Sequence, residues 1–295
     1  MIIDLLKLLL IALIPIVIAT GIILLQRYTK FKKLDSKFQY AIIVALFSVS
    51  CILGTVFGVE ASNGALINVR DASPIIAGLM FGGPVGVVVG FIGGLYRFVS
   101  VYWGGSGAYV RIACAVSTFM AGVFTLVVRR FIFNNKRGKW YYGLFLVLLC
   151  EDFHMLLVFL THLNDITGAY AVVKDCVGGM VVGNSIAVVL ALIIASVIYK
   201  EKFFEHEKPQ KISTKVQVTL LIFLTIAYSF VSSISYFSTR NVATKNNEKT
   251  LRQSVIDLKS DVDNLIDEEL LNILLISNIM KIIRKIYIDS KSKCC

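Results

Sequence analysis

The sequence predicts an all-α fold: a polytopic membrane helix bundle interrupted by one glycine-rich broken or re-entrant element. Three observations carry that prediction. First, the chain of 295 residues is 57% hydrophobic and only 17% charged, with mean hydropathy +0.77. A soluble domain carries about a quarter charged residues and under half apolar ones. Second, apolar runs near or above about 18 residues recur along the chain, each long enough to cross a hydrocarbon core. Third, fifteen of the thirty Lys and Arg fall in three short stretches between those runs, Arg27–Lys37, Arg129–Lys139 and Lys200–Lys215. Loops loaded in this way stay in the cytoplasm. The net charge of +11 is therefore a topology signal and not a nucleic-acid surface. A soluble enzyme, a disordered chain and a disulfide-stapled secreted module are excluded. Cys51, Cys114, Cys150 and Cys176 lie within or beside apolar runs and read as small core residues. Cys294 and Cys295 close the chain side by side.

The first span covers about Leu5–Leu25. It lacks the short apolar core and cleavage site of a secretory leader, so it is expected to remain as an anchor. With its basic loop it forms an N-terminal unit, 1–36, whose N-terminus lies outside. A bundle follows over 37–200. Its spans are Tyr40–Val59, a central segment, Val110–Val128, Tyr141–Leu160 and Val177–Tyr199. A cytoplasmic linker (201–215) leads to an additional transmembrane helix (216–237) and an extracytoplasmic helical tail (238–295). In that tail Leu251, Val255, Leu258, Val262 and Leu265 repeat with a/d-like spacing. Such a stripe suits pairing with a second copy, and Leu270–Ile288 reads as an amphipathic helix. So short a tail suggests the start of a truncated sensor module.

Parity decides the central segment. Glu60–Ser73 lies outside by the charge rule and Arg129 inside, so 71–109 must cross the membrane an even number of times. Two short helices meeting at Gly82-Gly83-Pro84, or a re-entrant hairpin, satisfy that count. Ten of the twenty-one glycines lie between Gly78 and Gly107. Gly78, Gly82, Gly86, Gly90 and Gly94 form a four-residue ladder, echoed by Gly179, Gly183, Ala187, Ala191, Ala195 and by Ser50, Gly54, Gly58. Small residues at this spacing let helix backbones approach closely. Broken helices at membrane depth also mark substrate sites in transport-type folds.

Polar residues inside apolar runs are costly and face the bundle interior. Glu151 and His154 are three apart and share a helix face. They could form a structural hydrogen bond, a proton-responsive pair or part of a pocket. Asn184 adds a polar group two turns into its span. Asn68 and Arg70 precede the broken element, on the outer side by parity, and Arg97 follows it. Paired arginines suit a carboxylate, because the guanidinium fork donates two parallel hydrogen bonds. The candidate ligand set is therefore Asn68, Arg70, Arg97, Glu151, His154 and Asn184, near the break. No catalytic residue, metal site or cofactor is expected, since no Cys/His cluster of ligand spacing and no nucleophile motif occurs.

The ordered elements Asn68-Val69-Arg70-Asp71, Ile76-Ala77-Gly78-Leu79, Gly82-Gly83-Pro84-Val85-Gly86, Gly90-Phe91-Ile92-Gly93-Gly94 and Tyr96-Arg97 resemble the LytS/YhcK-type membrane receptor domain. Gly104-Gly105, Gly122, Glu151 and Val182-Gly183-Asn184-Ser185 fit the same pattern. The resemblance covers roughly 5–200, and it extends distantly to the substrate-binding subunits of energy-coupling-factor transporters. It implies a receptor region of a bacterial two-component kinase or diguanylate cyclase, with cell-wall regulation a common theme. The implied partners are the lipid bilayer, a small anionic ligand, a second copy of the chain, and a downstream kinase, cyclase or response regulator. Neither output body occurs in this sequence, and His206-Glu207-Lys208-Pro209 lacks the context of a phosphoacceptor. The alternative is a solute-binding component of a transporter.

Overall fold

A computed structural model describes residues 2–61, 66–201 and 212–292. Side chains of most of 212–237 lie outside that description, as does the linker's 202–211, including His206. The helices are α1 (Ile2–Tyr28), α2 (Ser36–Val56), α3 (Ala72–Phe81), α4 (Gly83–Ser100), α5 (Arg111–Phe131), α6 (Trp140–Thr161), α7 (Ile166–Ile198) and α8 (Ile212–Ser292). A two-stranded hairpin, β1 (Val59–Glu60) with β2 (Leu66–Ile67), sits between α2 and α3. Among the described residues, six helices, α1, α2 and α4 to α7, are long and apolar enough to span a membrane. The chain is a multi-pass membrane protein with an all-α bundle. It divides into two units, Met1–Arg240 and Asn241–Cys295. The second unit is helical to Ser292, and its a/d-spaced Leu251, Val255, Leu258, Val262 and Leu265 are all exposed. The span expected over Val216–Phe237 falls on the helical start of α8, where most side chains lie outside the description.

In the first unit, one apolar core joins α1 through α7, with Ile22, Phe47, Ile75, Ile76, Leu79 and Leu192 fully buried. The four buried cysteines are free thiols. The broken element differs in detail from two short helices. Only α3 is short, at 10 residues; α4 has 18 and belongs to the spanning set. An extended stretch after β2 is buried in the bundle, and α3 and α4 pack against each other on either side of Gly82. Gly82, at φ +149°, makes the reversal between them, a backbone conformation that a side chain would strain.

The basic loops gather at one end of the bundle. There the Arg129 guanidinium donates to the carbonyls of Gly78 (2.9 Å) and Leu79 (2.8 Å), the last turn of α3. Arg137 lies over the Tyr199 ring and pairs with Glu201 at 3.3 Å. Arg27 donates to the Ile198 carbonyl. The hairpin occupies the other end.

The glycine ladders serve two different purposes. Along α4, a Cβ on Gly90 would lie 2.7 Å from the Thr118 carbonyl, so that ladder sets the close α4–α5 approach. The other two ladders receive the extended stretch. A Cβ on Gly54 would meet Arg70 Cα at 3.0 Å, and one on Gly183 would meet the Val69 side chain at 2.9 Å. A non-helical strand is thus clamped between α2 and α7.

At the hairpin end, Asp165 caps α7 by accepting from the Gly168 N–H at 2.9 Å, and it accepts from the Tyr109 hydroxyl at 2.9 Å. The Gly168 bond and then the Tyr109 bond hold the Asp165 carboxyl below its ordinary value. Burial and the neighbouring Asp165 push the Tyr109 phenol up to about 12. A depressed carboxylate contributes stability above its unfolded value and loses it as pH falls through the folded value. Amide protection factors at the first turn of α7, exchange rates corrected for their intrinsic pH dependence, are therefore expected to stay constant through neutral pH and to fall only below the normal Asp range. The Tyr109 absorbance should titrate near pH 12. Loss of protection beginning at pH 5–6 would contradict the cap.

Candidate functional site

The extended stretch delivers Asn68, Arg70 and Asp71 into the bundle, where all three are essentially inaccessible. They meet Thr118 and Cys114 from α5, Glu151 and His154 from near the middle of α6, and Asn184 from α7. The first turn of α3 cannot supply partners for its own N–H groups. Asn184 supplies one: its Oδ1 accepts from the Ala72 N–H at 2.8 Å. Its Nδ2 donates to Glu151 Oε1 (2.7 Å) and to the Met180 carbonyl (3.0 Å). Asn68 braces the same stretch, accepting from the Arg70 N–H at 3.3 Å and donating to the Leu66 carbonyl at 3.1 Å.

The charged groups are held by one edge and left open at the other. Asp71 Oδ1 accepts from Thr118 Oγ1 at 2.6 Å and from Arg70 Nε at 3.3 Å. His154 Nε2 lies 3.3 Å from Cys114 Sγ, and its Nδ1 lies 3.8 Å from Glu151 Oε2. Arg97, at the far end of α4, donates to the carbonyls of Ser106 (3.0 Å) and Gly107 (2.8 Å). Both arginines also lie within electrostatic range of Cys114. Arg70 Nη1 and Nη2, Arg97 Nε, Asp71 Oδ2, Glu151 Oε2 and His154 Nδ1 are buried without a hydrogen-bond partner. Such atoms are rare in a native core.

Above Arg97, at the hairpin end, a cavity of about 420 Å³ is lined by Glu60, Tyr96, Arg97, Ser100, Trp103 and Ser106, among others. Arg97 is thus shared between that cavity and the buried cluster.

Asp71, Glu151 and His154 bring one ligating atom each within 4.8 Å of the others, spacing that a metal ion could use. The surroundings disfavour a cation. Arg70 contacts Asp71 directly, Arg97 stands nearby, and a dication would add two positive charges to a buried cluster that already balances. An anion meets three free N–H-bearing atoms instead.

The structure brings Asn68, Arg70, Glu151, His154 and Asn184 together and connects Arg97 to them through Cys114. It corrects two expectations. Arg70 does not lie at an outer surface; it is fully buried, because the chain reaches inward before α3 begins. Nor does the set lie near Gly82-Gly83-Pro84. That break sits at the basic end, where Gly83 abuts Leu126 and the Pro84 carbonyl accepts from Tyr40. Fourteen residues of α4 separate Gly83 from Arg97, about 21 Å along a helix axis. Three members escaped the sequence reading: Asp71, Cys114 and Thr118. The available signals were a carboxylate beside Arg70 in Asn-Val-Arg-Asp, and Cys114 and Thr118 four apart on one face.

A broken half-helix ending on a buried polar cluster, inside a multi-pass bundle, defines a membrane receptor or solute-binding type of protein. The family model "5TMR of 5TMR-LYT" matches residues 22–198, and the chain belongs to that family of membrane receptor domains. It is 29% identical over 127 residues to the sensor histidine kinase YpdA of Escherichia coli (strain K12), covering 43% of this chain and 21% of that protein. The chain therefore spans about a fifth of the length of this curated relative. No solved structure matches. The 22–198 region is a membrane sensory receptor region.

Removing Asn184 tests the framework. Asn184→Ala leaves the Ala72 N–H and Glu151 Oε1 buried without this partner, at about 1–3 kcal/mol for each unsatisfied group. Thermal unfolding in detergent should show a clear loss, whereas Ser254→Ala, at an exposed position of α8, should not. An unchanged midpoint for Asn184→Ala would show that the α3 N-terminus does not depend on it.

Proposed function

We propose that this chain is the sensing region of a bacterial signal-transduction protein and recognises a small carboxylate in the cluster of Arg70 and Arg97. The observation that carries this reading is the set of unpartnered guanidinium nitrogens on two fully buried arginines. A guanidinium fork matches a carboxylate geometrically, and burial strengthens the contact because little solvent screens it. The cavity beside Arg97 offers the approach. Cys114 and Thr118 line the same cluster and would contact the rest of the ligand. The chain itself performs no catalysis in this reading; its output is a kinase, as in the relative's name, or a cyclase. The exposed a/d stripe of Leu251 to Leu265 supports pairing with a second copy.

Thermal shift of the purified chain against a panel of C2–C4 carboxylates tests the site, with methylammonium as the cationic control. A carboxylate should raise the midpoint, and Arg97→Ala should reduce its apparent affinity. Loss of a buried charge-assisted contact costs about 2–5 kcal/mol, or tens- to thousands-fold in affinity. Equal shifts in wild type and variant would remove Arg97 from the site.

Orientation follows from charge. The basic end faces the cytoplasm and the hairpin end faces outward, so the cavity opens to the exterior. In a background with Cys294 and Cys295 replaced by serine, an impermeant maleimide added to whole cells should label a cysteine introduced at Tyr102 and spare one introduced at Lys136. The reverse pattern would invert the topology.

A further inference from the structure

We infer that the buried cluster takes up its anion together with one proton, which settles on the chain of side chains Glu151–His154–Cys114. The inference rests on the carboxylate reading above and specifies how the site keeps its charge balanced.

The argument begins with a count of charges. Arg70 and Arg97 are matched by Asp71 and Glu151, so the unliganded cluster sums to zero when the imidazole–thiol pair carries no net charge. All these groups are buried. A net charge introduced there meets little solvent and is strongly penalised. A carboxylate anion alone would leave the cluster at −1. One added proton restores zero.

The structure provides a place for that proton. His154 sits between two partners, with Nδ1 3.8 Å from Glu151 Oε2 and Nε2 3.3 Å from Cys114 Sγ. Glu151 Oε2 and His154 Nδ1 have no hydrogen-bond partner, and a proton placed there would satisfy both once the 3.8 Å gap closes by about 1 Å. Glu151 Oε1 is already engaged by Asn184, which fixes the carboxylate with its free oxygen toward the imidazole. The thiol end of the same chain lies in the field of Arg70 and Arg97, where the anion arrives. Anion and proton sites are therefore joined by continuous contacts. The remaining ionisable groups facing the chain come from each neighbour: Arg70 and Asp71 from the extended stretch, Cys51 from α2, Arg97 from α4, Cys150 from α6 and Cys176 from α7. Among these, Arg70 and Asp71 form an ion pair, Arg97 donates to two backbone carbonyls, and the Cys51 thiol donates to the Arg70 carbonyl at 3.6 Å. Proton exchange is thus focused on Glu151, His154 and Cys114.

The test is calorimetric titration of the full chain in nanodiscs with each member of the C2–C4 monocarboxylate panel. It is run from pH 6 to 8.5, in phosphate and in Tris, whose ionisation enthalpies differ widely. The difference in observed heat between buffers gives the protons exchanged per anion bound. Uptake of about one proton is expected on the alkaline side, with Kd rising about tenfold per pH unit there. His154→Gln should bring the uptake toward zero and flatten the pH dependence, and Glu151→Gln should do the same from the other end of the chain. Carboxylate binding with no proton exchange in wild type, or with net release, overturns this inference and leaves the carboxylate site standing. Failure of every panel member to bind overturns both. The wild-type measurement decides the matter even if a variant fails to fold.

Discussion

The whole bundle depends on keeping a half-helix inside a membrane without leaving its backbone unpaired. A helix of 10 residues ends with open N–H groups at one terminus and open carbonyls at the other. In hydrocarbon each would be costly, so such a segment survives only where protein supplies the partners. Here the partners come from distant parts of the chain. Asn184 closes the N-terminus of α3 from α7, and Arg129 closes its C-terminus from α5. The placement of opposite charges fits the helix dipole, with Asp71 at the positive end and Arg129 at the negative one. The stretch before α3 has its own solution: Asn68 braces it, and glycines on α2 and α7 make room for it.

That construction produces the site as a by-product of the fold. A strand entering the bundle carries whatever side chains it holds to membrane depth, and here it carries a guanidinium and a carboxylate. Arg70 and Asp71 neutralise one another only in part, because a single Nε–Oδ1 bond leaves the guanidinium fork open. A structural ion pair would be better closed by two parallel bonds. The open fork, the opposed Arg97 and the free carboxylate oxygens together describe a cluster satisfied in its framework and unsatisfied at its centre.

Much of this was legible in the sequence, for identifiable reasons. Apolar run length marked the six spanning helices, and the three basic loops gave their expected alternation. Parity then pointed to an irregular element somewhere between 71 and 109. Glu151 and Asn184 stood out because a polar group in an apolar run has few harmless explanations. Depth was not legible. Asn68 and Arg70 follow a weakly charged segment that reads as surface, and nothing local says that the strand turns inward. The ladders Ser50-Gly54-Gly58 and Gly179-Gly183 announced close approach by some backbone, yet spacing alone does not distinguish a helix from a strand as the visitor. Cys114 and Thr118 were silent for a related reason: both are ordinary residues of an apolar helix until a charge is placed against them.

The same bonds that stabilise α3 also connect the two ends of the bundle. Its N-terminus is tied to the buried polar cluster through Asp71 and Asn184. Its C-terminus is tied to Arg129, and the Leu79 carbonyl accepts from the Gly138 N–H in the adjoining basic loop at 3.3 Å. Ten residues of helix span about 15 Å, so a single rigid element bridges the distance between them. A ligand shifts a conformational equilibrium only by its difference in affinity for the alternative states. In the proposed reading, a carboxylate on Arg70 and Arg97 would gain such a difference wherever the states differ in the position of the strand before α3, because that strand carries Arg70. The element best able to report occupancy at the basic end is therefore the half-helix whose burial required the polar cluster in the first place.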